Sequence, residues 1–243
     1  MKTNSVAHKF LGLVLVGGAL AACSAKADLL SFSASYPAPL GEFQIPDWTS
    51  SVTIPRFDSS LGVLNSISFR LSGTVQGSAQ SENTSPSAGN DITLNLSAAL
   101  QLFRPGSLDL ANRLVVTTPA VANTFAASVY DGVTDFAGTS GVTFAGLSAT
   151  KVNKTVFSSD ADKALFSGLG TIDLPLTAIA KSKATGGGSA ISVFDTQARG
   201  EVTVTYNYGP ASAVPEPRVY GAFGVLVCAG LAALRRRATV KKA

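Results

Sequence analysis

The side chains of this sequence that could do chemistry are carboxylates, because the usual nucleophiles and bases are missing from its middle. The 243 residues include one histidine, His8, and two cysteines, Cys23 and Cys228. All three lie in apolar terminal segments. Between Asp28 and Arg218 the absence of His and Cys excludes Ser-His-Asp and Cys-His catalysis, the usual zinc sites and any disulfide. Asp58, with Glu82 and Asn83, offers the oxygen ligands that Ca²⁺ takes on loops of β-proteins. The competing reading has Asp58 capping a turn and Glu82 facing water. Asp160 and Asp162 sit at a helix start, where carboxylates meet free N–H groups and the positive end of the dipole. No other metal or cofactor is expected. Two carboxylates flanking a glycosidic bond would make a hydrolase, but the spacing singles out no such pair. Trp48, Tyr36, Tyr130, Tyr206 and Tyr208 could stack on sugar rings, unless Tyr206 and Tyr208 pack together on one strand face.

The elements that must position these residues are strands. From Val63 to Val75 the odd positions Val63, Ile67, Phe69, Leu71 and Val75 alternate with Ser66, Ser68, Arg70, Ser72 and Thr74. From Ile92 to Leu102 the even positions are apolar, and Val202, Val204, Tyr206 and Tyr208 alternate with Thr203, Thr205 and Asn207. Period two over such lengths marks strands with one buried face. Shorter strands are expected at Ser51–Ile54, Arg113–Thr117, Gly141–Phe144, Ile172–Ala180 and Ile191–Phe194. Turn and loop signals separate them at Glu82–Asn90, Asp131-Gly132 and Thr185–Ser189. One helix is expected within Ser158–Leu169, from the spacing of Ala161, Ala164, Leu165 and Gly168 behind caps at Ser158, Ser159 or Asp160. Eight to ten antiparallel strands with almost no helix predict an all-β domain, a β-sandwich or jelly roll, over residues 28–208. Residues 209–214 read as a linker.

Both termini read as targeting segments. Lys2 and Lys9 precede an apolar run from Phe10 to Ala22, and Ala25-Lys26-Ala27 satisfies the small-x-small rule, so residues 1–27 read as a secretory signal cut by signal peptidase before Asp28. In a competing reading Leu20-Ala21-Ala22-Cys23 is a lipobox and Cys23 is acylated. At the other end Val219–Leu234 has no charged residue. As a helix it would reach about 24 Å, short of a hydrocarbon core of about 30 Å. Arg235, Arg236 and Arg237 can snorkel to extend that reach and hold the flank in the cytoplasm. A single C-terminal membrane helix is therefore expected, with Pro215 and Pro217 marking its start. The basic surplus belongs to these ends. Eight of the 19 Lys and Arg residues lie outside Asp28–Arg218, leaving 19 − 8 = 11 against all 15 acids, a net charge of −4 for the body. That balance gives no electrostatic footprint for nucleic acid.

Val214-Pro215-Glu216-Pro217, a short Gly/Ala/Leu-rich apolar stretch and a terminal Arg cluster resemble the PEP-CTERM sorting signal of Gram-negative bacteria. The resemblance covers residues 215–243 and implies that Pro215, Glu216 and Pro217 are recognised by exosortase, a membrane transpeptidase-like protease thought to remove the tail. Arg218 departs from the Ser or Thr often found after the motif. Within the body, Phe57-Asp58-Ser59-Ser60-Leu61-Gly62, the later Glu82-Asn83 pair and the closing Thr203–Tyr208 strand resemble a choice-of-anchor ectodomain of bacterial surface proteins. That family implies no catalytic residue. The expected protein is exported to the cell envelope and processed there, a non-catalytic surface or matrix component with exopolysaccharide as a candidate partner. The alternative is a carbohydrate-binding module or glycoside hydrolase.

Overall fold

The computed structural model describes residues 27–186 and 188–211. Its ten strands form two antiparallel sheets, so the all-β expectation holds. The first sheet has four strands in the order β1 (Asp28–Tyr36), β10 (Ala190–Gly209), β3 (Val63–Asn83), β7 (Gly141–Phe157). The second runs β2 (Trp48–Pro55), β8 (Thr171–Ala180), β4 (Asn90–Phe103), β5 (Arg113–Thr117), with β6 (Ala120–Ala127) and β9 (Lys183–Thr185) also pairing with β4.

Alternation decides which face each strand buries. On β3 the inward set is Ile67, Phe69, Leu71 and Val75, all fully buried. On β10 it is Ala198, Val202, Val204 and Tyr206, and from the opposing sheet come Val52, Ile54, Leu100, Leu102, Leu174 and Leu176. A smaller second core continues along the same strands: Ala79 and Leu147 meet Ile92, Leu94, Leu96 and Ala127. The division follows β4. Its first half, Asn90–Ser97, pairs with β6, and its second half, from Ala98, pairs with β8 and then β5. Strands β3 and β10 run past both cores without a register shift between Val63's neighbour Leu64 and Asn83 other than one irregularity at Asn207/Tyr208.

Within the larger core, between Leu71 and Val75, Gly73 and Gly200 lie directly opposite one another on β3 and β10. A Cβ on Gly73 would sit 2.7 Å from Thr117 Cγ2 and 2.9 Å from Leu100 Cδ1, and one on Gly200 would sit 3.1 Å from both Leu100 Cδ2 and Leu176 Cδ2. The paired glycines form a notch that receives Leu100, and the sheets close on each other there.

The expected helix is present but shorter. α1 spans Asp160–Phe166, with Ser159 as N-cap accepting from the Asp162 N–H. It buries Phe166 and Asp162 rather than Ala161 and Ala164. Phe166 packs 5.0 Å from the Phe69 ring, which fixes the helix to β3 by its last turn. Two boundaries also move. Glu82 and Asn83, expected in a loop, are the last two residues of β3, and Gly209, expected in the linker, still pairs with Val63. Among the described residues no helix is long and apolar enough to cross a membrane. The expected C-terminal span and residues 212–243 lie outside them.

Gly73→Val should destabilise the fold by about 1–3 kcal/mol in denaturant titration, because a new side chain in a filled notch forces the sheets apart. An unchanged midpoint would contradict the notch. Tyr206 gives a second handle. Its hydroxyl donates to Pro55 O at 2.9 Å, and burial pushes its pKa up from 10.0 to about 12, with Arg56 pulling the other way. The unfolded phenol loses its proton near pH 10.0 while the folded one keeps it to about 12. Stability should therefore hold below pH 10 and fall as pH climbs through that interval. Tyr206→Phe should remove this alkaline loss in pH-dependent melting, at a cost of about 1 kcal/mol near neutrality for the lost hydrogen bond.

Candidate interaction surface

The two sequence motifs of the body sit at opposite ends of one strand. β3 begins just after Gly62 and ends at Asn83, and at about 3.3 Å per residue its ends are about 65 Å apart. Asp58 and Glu82 therefore do not share a calcium site, and that expectation is corrected by the length of the strand that separates them. Each motif instead fastens its own end of the body.

At the first end Phe57 is fully buried, 5.8 Å from the Tyr206 ring and 5.2 Å from the Tyr208 ring. The Phe57 N–H donates to Phe166 O. Asp58 caps the 3-10 turn Ser59–Leu61, accepting from the Ser60 N–H at 2.9 Å, and that bond holds its carboxyl below the usual carboxylate range. Gly62 has φ +147°, and any Cβ there would collide with Gly209 O, so only glycine admits the end of β10 alongside.

At the far end Glu82 is fully buried, not facing water. Its side chain projects from the outer side of the sheet into the loop Ser128–Ser140, where Oε2 accepts the Phe136 N–H at 2.8 Å. Its strand neighbour Gly141 leaves room, since a Cβ there would overlap Oε2. Oε1 has no hydrogen-bond partner among the described residues. Asn83 completes the clamp: Nδ2 donates to Ala88 O at 2.8 Å and Ser128 O at 2.7 Å, and Oδ1 accepts from the Ser85 N–H at 3.1 Å. A buried side chain in a three-bond clamp is an anchor for two loops.

The other carboxylates and aromatics singled out in the sequence also have partners within the fold. Asp162 accepts from Arg104 Nε and Nη2 at 3.0 and 2.9 Å and from Ser159 Oγ at 2.6 Å. Asp160 points outward to Lys163 Nζ at 2.7 Å, which lowers its pKa. The two acids thus face different cations. Trp48 is buried 4.8 Å from Tyr36, and Tyr206 is buried on the strand face beside Tyr208, so these rings form no exposed sugar platform. Tyr130 hydrogen-bonds Thr134 in the far loop. Among the described residues no group of three or more His, Cys, Asp or Glu is placed to hold a metal. An open hollow of about 540 Å³ beside β2 is lined by Thr49, Ser51, Ser107 and Pro175 among others, without an ionisable side chain. Cys23, Ala25, Pro215, Glu216, Pro217, Arg235, Arg236 and Arg237 lie outside the described residues, and Ala27 immediately precedes β1.

The outer face of the four-stranded sheet is a continuous polar surface. The register lays its side chains in rows across β1, β10, β3 and β7: Ser31, Thr205, Ser68, Val156; then Ser33, Thr203, Arg70, Lys154; then Ser35, Glu201, Ser72, Val152. Hydroxyls pair along the rows, Ser31 with Thr205 at 2.8 Å, Ser33 with Thr203 at 3.0 Å and Thr74 with Thr150 at 2.9 Å. Gln76 Nε2 donates to Gln197 Oε1 one step further along. The sequence carried half of this signal, because the outward positions of β3 and β10 were visible as the polar half of the alternation. Lys154 was not, since the expected strand stopped at Phe144.

No family model matches the chain, and no curated protein matches it. Among solved structures it is similar to a chain of the T13 particle of infectious bursal disease virus, at 10% identity and TM-score 0.22, covering 77% of this chain and 36% of that one. It is also similar to the infectious bursal disease virus VP2 subviral particle, at 12% identity and TM-score 0.18, covering 78% of this chain and 38% of that one. The chain thus spans little more than a third of the proteins it matches, and at these scores neither function nor ancestry transfers from them.

If Glu82 anchors the far loop, Glu82→Ala should cost roughly 1–3 kcal/mol of stability, the usual penalty for leaving a buried donor without its partner. Glu82→Gln, which keeps an acceptor for Phe136, should cost less. Limited proteolysis should then cut between Ser128 and Ser140 faster in Glu82→Ala than in the parent. Equal cutting rates would show that the loop is held by something else.

Proposed function

We propose that this is an exported cell-envelope protein whose C-terminal tail is processed by exosortase and whose two-sheet body is a non-catalytic interaction module. The observation that carries the reading is the order of parts behind Val214: Pro215-Glu216-Pro217, an uncharged stretch from Val219 to Leu234, then Arg235-Arg236-Arg237. The body is compatible with it. Asp28 pairs with Tyr208, so both ends of the body leave from the same end of the sheet. A chain delivered through its N-terminus and held by its C-terminus would then present the rest of its length, with the Glu82 loop farthest from the tether. The committed roles of Asp58, Glu82, Asp160 and Asp162 favour a binding module over a hydrolase. The hydroxyl-rich outer face favours a carbohydrate-binding version of it.

Expression of the full chain in a Gram-negative host with and without exosortase tests the reading. With the enzyme present, intact-mass analysis should find the mature N-terminus at Asp28 and a C-terminus close to the Pro-Glu-Pro motif. A chain carrying Pro215→Ala, Glu216→Ala and Pro217→Ala should keep its tail and remain with the membranes. Recovery of the unaltered parent from the cytosol, uncleaved at both ends, would refute the proposal. An N-terminus mapped to an acylated Cys23 would replace signal peptidase cleavage before Asp28 by lipoprotein processing.

A further inference from the structure

We propose that the outer face of the four-stranded sheet binds an anionic polysaccharide, with Arg70 and Lys154 holding its carboxylate or other acidic groups. The inference rests on the reading of the body as an exported interaction module and names its partner class.

Arg70 and Lys154 occupy directly opposed positions on β3 and β7, and both are exposed. Like charges directly across an antiparallel pair cost stability. A neighbouring acid could offset that cost, but the ion pairs formed among the described residues are Arg104–Asp162 and Lys163–Asp160, and neither involves this pair. Glu201 lies one step along, opposite Ser72 rather than opposite Arg70. Arg199, on the same face of β10, is held 4.8 Å over the Phe43 ring. This patch therefore carries three cations against one acid, 3 − 1 = +2, on a body whose net charge is −4. A locally unfavourable, unneutralised cation pair on an acidic body is complementary to an anionic group.

The surroundings of the pair select the kind of anion. On its row and the two beside it stand Ser31, Ser33, Ser35, Ser68, Ser72, Thr203 and Thr205. Each hydroxyl has one donor and two acceptor sites, so those paired with one another keep capacity for sugar hydroxyls. The rows repeat at about 4.8 Å between strands and about 6.6 Å along them, giving a linear polymer repeated contacts. Nucleic acid would be held by stacking aromatics and a stronger positive field, and the ring on this patch, Phe43, already faces Arg199. A bilayer would be met by a projecting apolar segment, whereas Val152 and Val156 lie flat in the sheet among hydroxyls. Exposed charge contacts are individually weak, so binding should depend on many repeats along one polymer.

The test uses the full-length protein in detergent and immobilised polyuronate, with neutral dextran, anionic phospholipid vesicles and duplex DNA as comparisons. The parent should bind polyuronate and release it as salt is raised, and should bind dextran more weakly. Arg70→Ser with Lys154→Ser should weaken binding about three- to tenfold. Arg70→Lys should keep most of it. Lys154→Glu separates binding from folding: it places opposite charges across the strands, so the denaturation midpoint should rise or hold while polyuronate binding falls. The inference is overturned if the serine pair binds like the parent, if dextran binds as well as polyuronate, or if only vesicles or DNA are retained. A protein that is exported and trimmed in cells yet ignores polyuronate refutes this inference alone. One that stays cytosolic and uncut removes the reading beneath it.

Discussion

The pairing of β3 with β10 is the constraint on which the rest of the body depends. Their ladder runs from Val63 opposite Gly209 to Asn83 opposite Ala190. Its inner side supplies one wall of both hydrophobic cores, and its outer side supplies the two middle columns of the polar face. Because the partners are antiparallel, the start of β3 and the end of β10 meet at one end of the body, where Phe57, Tyr206 and Tyr208 cluster. At the other end Glu82 and Asn83 close the ladder by clamping the loops beyond it. The body motifs therefore have an explanation in folding: one starts the long strand and the other finishes it.

Such a ladder brings a packing problem. A twisted sheet cannot lie flat on its partner over this length, and the two cores meet partway along it. Within the larger core the opposed glycines at 73 and 200 withdraw side chains where Leu100 needs the volume. The cost is conformational freedom at two strand positions. It is tolerated because Leu71, Val75, Ala198 and Val202 on either side are fully buried and hold the strands in register.

Much of this was legible in the sequence, and the parts that were not have physical causes. β3, β4, β8 and the end of β10 show period two because one face is apolar and the other is not. Arg113–Thr117 was bounded as β5 is. The second half of β7 was missed because it is an edge strand whose residues Lys151–Lys154 are all exposed, so it has little apolar contrast to show. β1 and β6 do alternate, but Ser and Ala in β1 and Ala in β6 soften the signal. The Glu82-Asn83 pair was misjudged because polar residues at a strand end look like the start of a loop. Only the tertiary structure shows that the loops fold back over them. Register was also out of reach, and with it the meeting of Arg70 and Lys154 across two strands separated by about eighty residues of sequence.

The functional reading joins this body to termini whose meaning lies in their order of residues, and both rest on the body being one rigid unit. Native-state hydrogen exchange measures that directly. The account predicts that the slowest amides belong to β3 and β10 and that those along the larger core and those along the smaller one open with a common free energy. Separate, easier opening of Ala79–Asn83 with their partners on β10 would instead show two loosely coupled halves, and would contradict the long ladder as the organising element.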